Sequence, residues 1–188
     1  YTCITGITKG LPADKAGMRI GDKIIEINGK AIERLSQHIG WQPVVVIAPQ
    51  DSILITEGSE ERRRWWDAAI SQTQSTYMQQ LMQYNHLLLQ RNAYLKNLQG
   101  RAVDQESLSL YNDMMAPLSI EIGKARKFFL EKFQPLFQSI SQFITESNDQ
   151  VDLKWSSDTF EQDPTKLWTE RMERDRQAER TTAGLHRD

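Results

Sequence analysis

The spacing of apolar positions changes character once along this chain, near Gly58. Before it, short β-prone runs alternate with turns. Ile4 to Thr8 reads as one strand, and Lys23 to Ile27 (KIIEI) as another with period-two alternation. Asn28-Gly29 reads as a hairpin turn, because both central positions of a type I′ turn need positive φ. Val44-Val45-Val46-Ile47, four β-branched residues in a row, suits a strand covered on both faces. The chain then passes through Pro49-Gln50-Asp51 to Gly58-Ser59, a turn followed by an N-cap. Glu60 and Glu61 fall in the first helical turn, where negative charge is favoured.

Beyond Gly58 the rhythm is helical. Tyr77, Leu81, Tyr84, Leu88, Leu95 and Leu98 form one apolar stripe along a long helix, which Gly100 is placed to end. Ser107 to Met115 predicts a short helix. Pro117 to Thr145 predicts another, bent or interrupted at Pro135. Val151 to Trp155 (VDLKW) alternates as a short strand. Asp163-Pro164 is a cap followed by a proline at the first helical position, opening a charged helix through about Arg180. The expected class is therefore α+β: a small β-rich lobe over residues 1–57, a mainly α-helical arm inserted over 58–160, and a helix over 161–188 returning to the lobe.

Composition narrows the function. The 188 residues suffice for one domain or two small ones, and 39% hydrophobic with 26% charged content argues against disorder. A formal charge of −2 gives no global attraction to nucleic acid, so any DNA contact needs a local basic patch. Lone Cys3 excludes an internal disulfide framework and fits a reducing, cytoplasmic setting. No apolar run approaches the ~20 residues of a membrane span, and no signal-peptide pattern is present, so no membrane partner is expected. The chain starts without Met and ends in His-Arg-Asp, which reads as an internal piece of something longer.

Two resemblances follow. GLPADKAGMRIGDKIIEINGKAI, through Pro12, Ala13, Ala16, Gly17, Gly21, Asp22, Ile24, Asn28 and Gly29, resembles the second half of a PDZ domain. It would imply a peptide-binding module, here fused to a helical scaffold. The groove helix would fall at Arg34 to Gln42, where RLSQHIGWQ is short and contains a glycine. The plain alternative over residues 7–32 is a hairpin built from common Gly-Asp and Asn-Gly turns. A scaffold with no ligand of its own is the third reading.

Longer and stronger is a second likeness over Glu33 to Asp188. ERLSQHIGWQPVVVIAPQDSILITEGSEERRRWWD, YNHLLLQRNAYLKNL and TTAGLHRD resemble the RecF family of SMC/ABC-type DNA replication and repair ATPases, in that family's order and spacing. Leu185 replaces the family's usual proline, and Trp65-Trp66 its more usual Phe-Leu or Phe-Met pair. The resemblance implies that the lobe is part of an SMC/ABC-type ATPase head bearing the helical arm. It implies an intact protein that binds ATP with Mg²⁺, dimerises with ATP and binds junctions of single- and double-stranded DNA. It also implies partnership with RecR, RecO and RecA at gaps, in recombinational repair and the SOS response.

No glycine loop of the form G-x-x-x-x-G-K-[ST] occurs, so this stretch alone is not expected to hydrolyse ATP, although an intact relative would be a slow DNA-dependent ATPase. By the resemblance Gln50 and Asp51 lie where ABC-type heads sense Mg²⁺ and the γ-phosphate. Gln50 is equally a turn residue beside Pro49. Arg62, Arg63 and Arg64 are the densest positive cluster, but ~100° apart on a helix they cannot all face one partner. One or two could reach DNA phosphates while another pairs with Glu60, Glu61 or Asp67. Arg187, in the HRD block, is a further DNA-facing candidate. Trp65 and Trp66 read as core between arm and body. Gln90, Arg91 and Asn92 interrupt the stripe with no chemical role assigned. His38, His86 and His186 lack paired spacing, so no metal site is expected, and no catalytic triad is evident.

Overall fold

Once an apolar stripe has a partner to pack on, helix is the cheapest way to satisfy the backbone, and helix dominates here. A computed structural model describes residues 2–3, 9–10, 12–24, 26–27, 30–31, 39, 43–98 and 104–187. The chain divides into two units, Tyr1–Val44 and Val45–Asp188.

In the first unit, β1 (Thr2–Cys3) pairs antiparallel with β2 (Lys23–Ile24), and β3 (Glu26–Ile27) with β4 (Lys30–Ala31), Ile27 opposite Lys30. A four-residue helix, α1 (Pro12–Lys15), lies between β1 and β2 in sequence. Asp14 and Asp22 tie the turns, their carboxylates accepting from the Gly10 and Arg19 amides at 2.7 and 2.8 Å. The expected strand at Ile4 to Thr8, the Asn28-Gly29 turn, the groove helix at Arg34 to Gln42 (apart from Ile39) and the Gly100 stop lie outside the described residues.

The second unit is helical. A 3-10 turn (Pro49–Ser52) leads to α2 (Ile53–Thr56), α3 (Ser59–Thr73), α4 (Ser75–Asn97), α5 (Gln105–Thr145), α6 (Asp158–Glu161), α7 (Pro164–Glu170) and α8 (Met172–Gln177). Its core runs along the α4–α5 seam. Tyr77, Tyr84, Leu87 and Leu88 meet Met115 and Ile122, and Trp168 and Leu185 close the end. Each fully buried Leu, Ile or Met adds roughly 1.5–3 kcal/mol. Trp168 also donates its indole N–H to the Ala183 carbonyl at 2.9 Å, which docks the C-terminal turn onto α7. Beside this core, Trp66 packs edge-on against Phe129 and Phe133, with centroids at 4.9 and 5.5 Å.

The α+β expectation with a β-rich lobe is overturned: the described residues are mainly helical, and strand is confined to the two short ladders of the first unit. Val44 to Ile47 joins no ladder among the described residues, and Val45, Val46 and Ile47 are 86, 77 and 88% exposed rather than covered. A β-branched run has strand propensity, yet it becomes sheet only where a neighbouring strand accepts its backbone, and none does so among the described residues. Val151 to Trp155 likewise joins no ladder among the described residues. Side-chain amides one helical turn apart on α5 take a neighbouring strand's place. Gln138 accepts from the Val151 N–H (2.7 Å). Gln134 donates to the Val151 carbonyl (2.8 Å) and accepts from the Leu153 N–H (2.9 Å).

Helix boundaries shift for local reasons. The two expected helices either side of Ala116 are one 41-residue helix, α5, running through Pro117 and Pro135. Each proline deprives the carbonyl four residues earlier of its donor. Those carbonyls belong to Asp113 and Glu131, which like the prolines lie on the exposed face, where water can serve them. Asp104 caps this helix, accepting from the Glu106 amide at 3.2 Å. The cap before α3 is Gly58 rather than Ser59. Asp163 does cap α7, accepting from the Lys166 N–H at 2.9 Å, with Pro164 next. The helix it opens breaks at Arg171, short of Arg180.

Candidate functional site

The α4 stripe has a seven-residue gap between Leu88 and Leu95, and Arg91 fills it, fully buried. The same thing happens on α5. Met115, Ser119, Ile122 and Arg126 follow each other at spacings of four, three and four on the buried face. Two arginines thus sit where periodicity calls for apolar side chains, and each needs a carboxylate to be tolerated there.

Arg126 finds Asp67 of α3. The pair is bidentate, Nε to Oδ1 and Nη2 to Oδ2, both 3.0 Å. Tyr77 donates its hydroxyl to the same carboxylate, and its burial pushes the phenol pKa up, so it stays protonated. Arg126 Nη1 donates to the Leu185 carbonyl at 3.1 Å, which fixes the C-terminal turn against α5. Arg91 pairs with Asp175 of α8 at 2.7 Å and donates to Thr181 Oγ1 (2.7 Å) and Asn112 Oδ1 (3.2 Å). Asn92 accepts from both the backbone and the hydroxyl of Thr181, each at 2.7 Å. Asp175 does the same for Thr182 at 2.8 and 2.6 Å. The QRN triplet and the TTAGLHRD block, 90 positions apart, are therefore two halves of one buried network.

The Arg126–Asp67–Leu185 network borders a cleft of ≈ 370 Å³ lined by Arg63 and Arg64 of α3, Tyr84 of α4, Arg126, His186 and Arg187. Counting every lining charge, four guanidiniums face Glu60 and Asp67, two carboxylates, so the cleft is net positive by two. His186 is neutral: burial pulls its pKa down to about 4, and Arg187 and Arg63 add to the effect while its bond to Thr181 and the charge of Asp175 oppose it. Since Nε2 donates to the Thr181 carbonyl at 3.2 Å, Nδ1 is the bare nitrogen. Gly184 makes this turn possible with φ of +135°, and a Cβ there would stand 2.6 Å from Tyr84 Oη.

A second cavity of ≈ 360 Å³ opens on the other side of Arg63, which together with Arg126 lines both. Arg62, Trp66, Leu130, Lys154 and Trp155 are among its walls. All residues lining either cavity come from the second unit.

The predicted site residues separate accordingly. Arg63, Arg64 and Arg187 come together at the first cleft. Arg62 points away, donating to the Leu54 and Glu57 carbonyls at 3.0 and 3.1 Å, though it reaches the second cavity. Arg64 is also the salt-bridge former of the cluster, held by Glu60 (2.6 Å) and Glu61 (3.1 Å), while Arg63 donates to Ser59 Oγ at 2.6 Å. Gln50 and Asp51 line neither cavity. Both are exposed in the 3-10 turn, and Asp51 Oδ2 accepts from the Ala48 N–H at 2.8 Å. Sequence reasoning singled out Arg91 as a break in the apolar stripe without assigning it a role, and missed Arg126, Asp175, Lys154 and Trp155. The signal for Arg126 was the same, a charge standing on an apolar stripe.

Comparison with known proteins gives two matches of different extent. A PDZ domain family model matches residues 3–40. The DNA replication and repair protein RecF of Flavobacterium johnsoniae is 42% identical over 167 residues, 88% of this chain and 46% of that protein. RecF of Bacteroides thetaiotaomicron is 36% identical over 170 residues, 90% of this chain and 46% of that protein. A solved structure of the recombination mediator protein RecF-ATPrS superposes with a TM-score of 0.80 at 25% identity, covering 89% of this chain and 47% of that one. The chain thus spans about half the length of the curated relatives it matches.

Proposed function

Over the half of those relatives' length that it spans, this chain belongs to the RecF family, and on that premise we propose that it serves DNA replication and repair. It contributes a DNA-facing surface to an ATP-binding protein of the recombination-mediator type. The observation that carries this is the net-positive cleft in which Arg63, Arg64 and Arg187 converge on a chain whose overall charge is −2. Non-specific DNA affinity comes from cations placed against phosphates, and the chain's overall charge of −2 supplies no general attraction in their place.

The helical body corresponds to the arm, residues 58–160, and the segment 161–188 returns from it. The Arg126–Leu185 bond locks that returning segment to the arm, and Asp67 ties Arg126 to α3, so a phosphate seated at Arg187 is felt by α3 and α5 together. ATP binding is supported by the solved relatives named with ATP and its analogue. In this reading Mg²⁺, an ATP-dependent homodimer, and RecR, RecO and RecA as partners belong to the whole protein, with Gln50 and Asp51 at its nucleotide-sensing turn.

The test is DNA affinity against salt for Arg187→Ala and Arg63→Ala. Each lost phosphate contact should shallow the slope of log K against log salt by about 0.9. Unchanged affinity and slope in both variants would sink the assignment.

A further inference from the structure

The second cavity has walls of a different kind from the first. Trp66, Trp155 and Leu130 give it flat apolar surface, Arg62, Arg63 and Lys154 give it cations, and no carboxylate lines it. A cavity that were merely a packing defect would have no reason to gather cations at its rim without one acid among them. Flat apolar walls with cations beside them match one ligand chemistry in particular: a planar base joined to a phosphate.

The walls are also held in place. Trp66 is braced by Phe129 and Phe133. Trp155 rests on Phe160 at 5.3 Å between centroids. The strand-like segment carrying Lys154 and Trp155 is pinned to α5 through Gln134 and Gln138. Arg62 is set by the Leu54 and Glu57 carbonyls, and Arg63 lies between this cavity and the basic cleft.

We infer that the cavity between α3, α5 and residues 153–156 takes a single unstacked nucleotide of a DNA strand. The base lies against Trp155 and Trp66, and its phosphate lies at Lys154 and Arg62, while the neighbouring duplex occupies the cleft beyond Arg63. This rests on the DNA-binding reading above and adds the ligand class of a site that reading does not use. It makes the chain a sensor of unpaired bases, which a filled duplex does not offer.

The experiment titrates the full chain with two DNAs that differ only in a gap carrying a fluorescent purine analogue, open in one and filled in the other. The expected result is quenching of the analogue in the gap only. Trp155→Ala should weaken gapped-DNA binding about tenfold with filled-duplex binding unchanged, as base–aromatic stacking predicts, and Trp155→Phe should restore most of it. Lys154→Ala, at an exposed position, gives the same gap-selective loss without touching the core. Equal losses on both DNAs, or none on either, overturn the inference. Displacement of the gapped DNA by thymidine monophosphate at comparable concentration overturns the strand as the source in favour of a free nucleotide. If the native chain binds neither DNA, the wider reading fails. If it binds filled duplex normally but shows no gap-selective effect, only this pocket fails.

Discussion

Arg91 on α4 and Asp175 on α8 lie 84 positions apart, yet their side chains meet at 2.7 Å with both fully out of contact with water. A buried pair of this kind stabilises little against an apolar replacement, because desolvation offsets the Coulomb gain. Its value is in specifying one docking of α8 and the following turn, since any other leaves two charges stranded.

Removing one partner should therefore be severe. Arg91→Met leaves Asp175 buried and uncompensated, and a loss of about 3–5 kcal/mol is expected. Adding Asp175→Asn should recover a substantial part of it. Urea denaturation of the two single variants and the double variant gives the coupling directly, and additive effects would contradict a direct pair.

The Asp67–Arg126 pair predicts a different signature, because Tyr77 and the Leu185 carbonyl share it. Asp67→Asn keeps the shape but strands the Arg126 charge, so a loss of about 3 kcal/mol is expected. Hydrogen exchange of the 183–187 amides should accelerate at the same time. Protection unchanged in that turn would show that Arg126 does not hold it.

Stability should fall on acidification through His186. Its folded pKa, about 4, lies below the ordinary 6.5, so between those values the unfolded chain binds a proton that the folded one refuses. The contribution is complete above pH 6.5, is lost as pH falls towards 4, and changes no further below that; about 3 kcal/mol is at stake. Arg187, Arg63 and Asp175 are the charges acting on the ring. His186→Gln should flatten the stability profile in that window, as read by thermal melts at a series of pH values.

Gly184→Ala combines a left-handed backbone with a Cβ placed 2.6 Å from Tyr84 Oη. A cost of about 1–3 kcal/mol is expected from the strain alone. Tyr84→Phe in the same chain removes the oxygen that is struck, so the double variant should be less destabilised than the sum of the two changes. Full additivity would place the whole cost in the backbone.

The sequence by itself determined a good deal. The RRRWWD, QRNAYLKNL and TTAGLHRD blocks placed the chain in its family, the Tyr77-to-Leu98 stripe marked the buried side of α4, and Asp163-Pro164 marked a helix start that the structure keeps. These are local signals: caps and periods act within a few residues. What periodicity cannot state is a partner. Arg91 and Arg126 stand on apolar stripes, and only the fold supplies Asp175 and Asp67 to make that tolerable. Val44 to Ile47 and Val151 to Trp155 have strand propensity, but propensity does not make a sheet without a neighbour, and glutamine amides on α5 took the neighbour's part for the second. Three adjacent arginines looked like one cluster along the chain. On the helix they turn to different surroundings: Arg64 to its glutamates, Arg62 to the turn before α3, and Arg63 to the wall between two cavities, because successive helical positions point ~100° apart and the tertiary packing decides what waits in each direction.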